Sequence, residues 1–240
     1  MQPVLSIVTV TRNCSSTLGD TLSSIKLIKN RLIEYIIIDG ASTDGTTDLI
    51  QSSGSLVDKY VSEVDMGIYN AMNKGITLAS GKYTLFINGD DQVMPEDFRM
   101  ILAFLEKGTS DIYCAKTLVV DTRQGEEVLI AKKWQLPFHN SIPHPSAFVR
   151  TDLLKKFRFR EDLKIASDYD LFLRLFMTGK SFKRIDVISA VHYRGGASGN
   201  SSLSIVETNQ IRKERLGLFF YVTEAVIRAN RLLKKIRLSL

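Results

Sequence analysis

Cysteine is scarce in this chain. Cys14 and Cys114 are the only two among 240 residues, and they lie far apart in sequence. Two such residues build no disulfide framework, and they point to a reducing compartment, so a cytoplasmic location is expected. Histidine is scarcer than usual as well, with three residues and no Cys/His cluster, which argues against a structural zinc site. No apolar run approaches the roughly 18 residues needed to span a bilayer. The start, Met1-Gln2-Pro3, lacks the charged-then-apolar pattern of a secretory leader. No G-x-G-x-x-G follows an early strand, which disfavours a dinucleotide-dependent dehydrogenase. Internal repeats and low-complexity linkers are also missing.

What is present is ordinary for a globular protein with a sizeable core: 44% hydrophobic and 24% charged residues. The net charge of +6 is unevenly placed. Arg228, Arg231, Lys234, Lys235 and Arg237 follow Glu224 with no acid among them, so the rest of the chain is close to neutral. That excludes a nucleic-acid-binding body with a basic face throughout, and makes the C-terminus a local basic element.

Strand and helix signals alternate through the first 107 residues. Val4 to Val10, Tyr35 to Ile38, Lys59 to Val64 and Tyr83 to Ile87 read as strands. Helical spacing runs through Leu18, Leu22, Ile25 and Ile28, then from Thr43-Asp44 towards Ile50. It returns over Gly67 to Ala79, closed by Gly81, and again from Pro95. Such alternation predicts a parallel sheet covered by helices, with ligands at the carboxyl ends of the strands. Thr9, Thr11, Asp39, Asp65, Asp90 and Asp91 all fall on that edge. Beyond it, Ile112 to Val120 and Glu127 to Ala131 read as a hairpin-like excursion, and Trp134 to Pro145 as a loop holding His139 and His144. A helix follows Ser167-Asp168 and stops near Gly179. Ile185 to Tyr193 reads as a strand, Gly195 to Gly199 as a flexible run, and the chain from Val206 as an amphipathic helix or helix pair. Leu216, Phe219, Phe220, Thr223, Val226, Ile227 and Leu233 share one face of it, which would either rest on anionic lipid or pack on the core.

Each candidate residue has a plain and a chemical reading. Asp90 and Asp91 are adjacent carboxylates that repel one another, so they suit either a cation–diphosphate site or a solvated acidic turn. Asp39 could accept hydrogen bonds from a base or ribose, or bond its own turn. Asp44 reads as a helix cap. Asp168 could be a general base, or a favourable residue in the first turn of a helix. His144 and His192 could touch metal or phosphate, or be ordinary hydrogen-bonded histidines.

Taken in order, Ser6 to Asn13 (SIVTVTRN), Tyr35 to Thr46 (YIIIDGASTDGT), Asp65 to Gly75 (DMGIYNAMNKG), Ala79 to Tyr83 (ASGKY), Asn88 to Asp91 (NGDD) and Ala166 to Leu171 (ASDYDL) resemble the inverting family 2 glycosyltransferases of the GT-A fold. The match runs from Leu5 to about Gly199. The resemblance implies an α/β fold with a Rossmann-like, mostly parallel central sheet flanked by helices. Residues 1–205 would form the GT-A domain, with a nucleotide-binding half to about 107 and an acceptor and catalytic half from about 108. Residues 206–240 would be a basic amphipathic helical extension. It further implies that Thr9, Thr11 and Asn13 line the nucleotide pocket, and that Asp39 bonds the base. Asp65, Gly67, Tyr69 and Lys74 would lie near the nucleotide. Asp90 would reach the ribose or sugar, Asp91 with Asp90 and His192 would hold Mn2+ or Mg2+, and Asp168 would be the catalytic base. The donor would be a nucleotide-diphosphate sugar, UDP being the commonest in the family. The acceptor would be a glycan or lipid-linked molecule in bacterial surface-polysaccharide assembly. Nucleic acid is not an expected partner; peripheral contact with the inner membrane through the C-terminal helix, and a homodimer, are.

Two positions depart from the family pattern. Ser167 stands where an acid usually precedes the base, and Asn88 stands first in the acidic motif. No Gln-x-x-Arg-Trp motif is present, which favours single-sugar transfer over chain synthesis. A nucleotidyltransferase making sugar nucleotides is the competing enzyme class, but Thr11 to Ser16 lacks its glycine-rich loop. A non-catalytic nucleotide-sugar-binding protein is the other alternative.

Overall fold

A computed structural model describes residues 2–121, 123–194 and 201–238. The Gly195 to Gly199 run expected to be flexible lies outside the described residues. The first half alternates β1 (Leu5–Thr11), α1 (Leu18–Ile28), β2 (Ile33–Asp39), α2 (Thr46–Ser52), β3 (Lys59–Ser62), α3 (Ile68–Leu78) and β4 (Tyr83–Phe86). Then come β5 (Gln92–Val93), α4 (Phe98–Lys107), β6 (Ile112–Asp121), β7 (Gly125–Leu129), β8 (Ala147–Arg150), α5 (Thr151–Phe157) and α6 (Ser167–Met177). The last elements are β9 (Phe182–Tyr193), α7 (Ser201–Leu216) and α8 (Phe219–Leu238).

β1 and β2 are buried along their whole length, as their continuous apolar runs require of central parallel strands. Val8 and Val10 enter one core with α3, α5 and α6; Leu5 and Ile7 enter the other with α1 and α4. The strand order is β3-β2-β1-β4-β8-β6-β9-β5, with β7 paired to β6. The first four strands are parallel. The chain leaves β1 towards β2 and β3, then returns to β4 on the other side. β1 and β4 therefore flank a topological switch point, where open α/β sheets form a crevice. Register puts Thr11 opposite Asp39, and Asp39 opposite Ser62, on one edge.

The second half continues the same sheet with mixed pairing: β8 runs antiparallel to β4 and β6, and β9 parallel to β6. β5 and β8 are too short to show a pattern in sequence. α4 starts at Phe98, with Pro95 a turn earlier than expected for its first residue. Gly81 does not close α3 through a left-handed cap. It lies against β1, where a Cβ would meet the Ser6 nitrogen at 2.6 Å.

The C-terminal helices are more deeply joined to the domain than a boundary at 205/206 implies. α7 starts at Ser201, and its Glu207, Ile211 and Arg212 are buried. In α8 only part of the expected apolar face is covered. Thr223 is buried, while Phe219 and Val226 are exposed along with Tyr221 and Val222. No helix among the described residues is long and apolar enough to cross a membrane.

Glu34 joins three strands and the turn before β4. Its buried carboxylate accepts hydrogen bonds from the Ser6 hydroxyl at 2.6 Å and from the Ser80 N–H and hydroxyl at 2.9 and 2.8 Å, and it pairs with Lys59 at 2.6 Å. Burial pushes this carboxyl up, but Lys59 and the three donors outweigh it and hold it at about 2, below its ordinary 4.5. A depressed folded-state pKa stabilises fully above the unfolded value, and that stabilisation is lost as pH falls towards 2. Glu34→Gln is expected to cost ~3 kcal/mol at neutral pH and to flatten the fall in stability between about pH 4.5 and 2. Urea midpoints across that range check it; equal slopes for both proteins would refute the role.

Candidate active site

The ends of β1 and β4 open into a cleft of about 900 Å3. β4 runs into the turn Asn88-Gly89-Asp90-Asp91, which is bound to its surroundings on several sides. Gly89 N–H donates to the Val10 carbonyl at 3.2 Å, and Asp91 N–H to the Asn88 carbonyl at 3.1 Å. From α1 and the residue before it, the Thr17 and Thr21 hydroxyls donate to the Gly89 and Asp91 carbonyls at 2.8 and 2.7 Å. The turn lies directly on β1, because a Cβ on Gly89 would sit 2.8 Å from Thr11 Oγ1.

This clamping aims Asp91 inward. Asp91 is fully buried, and its Oδ1 lies 2.7 Å from His192 Nδ1 near the end of β9. The hydrogen bond to the Asp91 carboxylate raises the His192 pKa against the pull of burial. Burial first, and then the Asp91 charge, raise the Asp90 carboxyl. Asp91 Oδ2, Thr11 Oγ1, Asn88 Oδ1 and His144 Nε2 are buried without a hydrogen-bond partner, and all four residues line the cleft. Buried side-chain atoms of this kind are rare in native proteins. Among the described residues only one other, Ser189 Oγ, lies elsewhere. Their convergence makes the cleft the candidate site.

Asp168 stands in the first turn of α6, half-buried, and lines the same cleft. Three contacts fix the backbone that leads to it. Glu207 of α7 accepts from the N–H groups of Lys164, Ile165 and Ala166 at 2.8, 2.9 and 2.9 Å. The Tyr69 hydroxyl donates to the Ile165 carbonyl at 2.6 Å. The Ser167 hydroxyl accepts the Arg160 N–H at 2.6 Å. Ser167 thus works by tying down the chain, although a departure from the acidic pattern is all that its sequence shows. Asn140 Nδ2 donates to Asp168 Oδ2 at 3.0 Å. His144 stacks on Phe86, and burial lowers its pKa although Asp168 and Asp91 both oppose that.

Thr11, Asp65, Gly67, Tyr69, Asp90, Asp91, Asp168 and His192 therefore share one cleft. Thr9, Asn13, Asp39 and Lys74 are not on its surface. Thr9 is sealed in the core, accepting the Tyr35 hydroxyl at 3.1 Å. Asn13 adopts a left-handed backbone (φ 53°), and its Oδ1 accepts the Thr43 N–H at 2.9 Å, joining two loops. Asp39 is fully buried; its carboxylate accepts from the Ser42 N–H and hydroxyl and from the Ser62 hydroxyl, which is the turn-bonding alternative. Lys74 pairs with Asp65 and Glu63, both at 2.6 Å, so it reaches the cleft only by orienting Asp65. Tyr69 presents its ring, with its hydroxyl already committed to Ile165. Arg12, Lys132 and Lys164 line the cleft without having been singled out in sequence, and none has an ion pair among the described residues. Asn140 also went unassigned; its one signal was a polar residue in a proline-bearing loop. His144, which the sequence left open between metal, phosphate and an ordinary hydrogen-bonded role, lines the cleft as well.

The Glycosyl transferase family 2 model matches residues 6–165, two thirds of the chain. The chain belongs to this family. It is a glycosyltransferase, and the nucleotidyltransferase reading is set aside. The family match ends three residues before Asp168. The PGL/p-HBAD biosynthesis glycosyltransferase of Mycobacterium bovis is 29% identical over 182 residues, covering 72% of this chain and 70% of that protein. The minor teichoic acid biosynthesis protein GgaB of Bacillus subtilis is 28% identical over 161 residues, covering 63% of this chain and 18% of GgaB. Among solved structures, S. aureus TarS 1-349 in complex with UDP-GlcNAc superposes with a TM-score of 0.71 at 18% identity, over 92% of this chain and 73% of that one. The mannosyltransferase PcManGT from Pyrobaculum calidifontis, in complex with GDP-Man and Mn2+, gives 0.63 at 16% identity, over 90% and 62%. These two likenesses show the GT-A fold, as the family 2 glycosyltransferase sequence led one to expect.

Proposed function

We propose that this glycosyltransferase moves one sugar from a nucleotide-diphosphate donor to a hydroxyl of a glycan or lipid-linked acceptor, with inversion, in bacterial surface-glycan assembly. The observation that carries the reading is the single cleft that holds Asp168 together with Asp90, Asp91 and His192, with Asp91 Oδ2 lacking a partner among the described residues. The names of the M. bovis and B. subtilis relatives place those proteins in PGL/p-HBAD and minor teichoic acid biosynthesis, which favours a surface-glycan setting here. The TarS complex favours UDP as the nucleotide.

Among the described residues no three His, Cys, Asp or Glu side chains form a ready cage for a cation. That suits Mg2+ or Mn2+ in this role, since such ions keep waters and phosphate oxygens and need few protein ligands. The buried, unpartnered Asp91 Oδ2 and the neighbouring His192 are the donors that fit, and Asp90 adds negative charge beside them. When bound, the cation supplies neutralisation of the charge on the leaving diphosphate. Arg12, Lys132 and Lys164 add positive potential around the cleft.

Asp168 removes the proton from the acceptor hydroxyl. The oxygen then bonds to the anomeric carbon from the face opposite the nucleotide. The bond to the diphosphate oxygen breaks, that oxygen keeps the electron pair, and the configuration inverts. Asn88, Thr11 and His144 offer unpartnered polar atoms to hold the donor or the reacting groups.

A thermal-shift series of nucleotide sugars with and without Mn2+ tests the site. At a donor concentration near 100 times Kd the expected stabilisation is about 2.7 kcal/mol, a rise of roughly 5–10 °C for a chain of this size. Asp91→Ala should abolish the Mn2+-dependent part. If no nucleotide sugar shifts the melting point, or if Asp91→Ala keeps the full Mn2+ effect, the assignment is wrong.

A further inference from the structure

Asp168 has one side-chain hydrogen bond among the described residues, the 3.0 Å contact from Asn140 Nδ2 to its Oδ2. The donor is held in a defined orientation. Asn140 Oδ1 accepts the Ile142 N–H at 3.4 Å, which fixes which end of the amide faces the carboxylate. The segment carrying it is closed on both sides. Lys132 N–H donates to the Ser141 carbonyl at 3.1 Å, and the Ser141 hydroxyl donates to the Lys132 carbonyl at 2.9 Å. α6 and α7 grip the same segment from behind, through the Tyr169 hydroxyl on the Leu136 carbonyl at 2.8 Å and Arg212 Nε on the Pro137 carbonyl at 3.1 Å. An exposed asparagine on an isolated loop would not orient anything. Here the loop is anchored to the helix that bears Asp168.

We infer that Asn140 is the positioning residue of the base: its amide holds Asp168 Oδ2 and leaves Oδ1 to the acceptor hydroxyl. The inference rests on Asp168 being the base. A carboxylate whose one oxygen accepts a fixed amide N–H is held in one orientation, so the contact sets its direction. The other groups that act on Asp168 are known. His144 and Tyr69 feel its charge, Lys164 lines the cleft four residues before it, and Glu207 engages the backbone behind it.

The test uses the full-length protein and steady-state transfer of sugar to acceptor. Asn140→Ala is expected to lower kcat roughly 10- to 100-fold with donor KM little changed, because orientation is lost while donor contacts stay. Asn140→Asp, nearly isosteric, should lose at least as much kcat, because an ionised carboxylate has no N–H to give Asp168 Oδ2, and it guards against a packing defect. In the Asp168→Asn background, Asn140→Ala should add nothing. Unchanged kcat in Asn140→Ala would overturn the proposal, as would a kcat loss matched by an equal rise in donor KM, or a full additional loss in that background. Near wild-type transfer by Asp168→Asn would instead sink the base assignment beneath it, so the two failures are distinguishable.

Discussion

Asp168→Asn should cut kcat by roughly 10²- to 10⁴-fold while leaving nucleotide-sugar binding and folding intact, the usual contribution of a general base. The amide matches the carboxylate in size, and the side chain is half-buried at a cleft wall, so little packing is disturbed. What changes is the ability to accept a proton. Asn140 Nδ2 would still find an oxygen to bond. The donor side of the site, built on β1 and the Asn88 to Asp91 turn, shares no hydrogen bond with Asp168. The Mn2+-dependent thermal shift with donor should therefore match that of the parent protein. Activity within a few-fold of the parent, with binding retained, would remove Asp168 from the mechanism.

Two residues further on, Asp170→Ala should do the opposite, costing about 3–5 kcal/mol of stability, as expected when one member of a buried ion network is removed. Asp170 is fully buried. Its Oδ2 accepts from Arg174 Nε at 2.7 Å, its Oδ1 from Arg215 Nε at 2.8 Å, and Arg160 lies 3.9 Å away. Arg174 also donates to the Phe157 and Arg158 carbonyls at 2.5 and 2.6 Å, which joins α5 to α6. Arg215 belongs to α7, so the same carboxylate ties the C-terminal helices to the helix that carries the base. Truncation to alanine leaves three guanidinium groups around an empty anion position. The midpoint of urea unfolding should fall sharply, and the melting temperature by on the order of 10 °C. A loss below about 1 kcal/mol would show that the arginines find other partners and that the network is not what holds these helices together.

Asp168 and Asp170 read alike in the sequence Ser-Asp-Tyr-Asp. On a helix they are separated by about 200°, so they face opposite ways. One looks into the cleft and the other into the join between helices. The family resemblance picks out Asp168, but no local property of the sequence separates the two.

The same division runs through the donor side. Alternation of apolar strands with amphipathic helices was enough to place Thr11, Asp65, Asp90 and Asp91 on one edge, because the strand period and the parallel connection are local and periodic. It could not say which polar groups on that edge stay open. Thr9 and Asp39 share the edge with Thr11 and Asp91, yet they are buried and partnered. Thr11 Oγ1 and Asp91 Oδ2 are buried and left unpartnered. That difference depends on Tyr35, Ser42 and Ser62 arriving from other strands and turns.

The sequence alone thus determined the α/β architecture, the edge that bears the site and the acidic turn, since each follows from spacing along a single strand or helix. The family resemblance grouped His192 with Asp91, but only the tertiary structure shows their contact across 101 residues, the contact of Asn140 with Asp168, and the anchoring of the Asp168 approach by Glu207. Those contacts join segments that touch only when the second half of the sheet closes beside the first, and no local pattern encodes a distance between them.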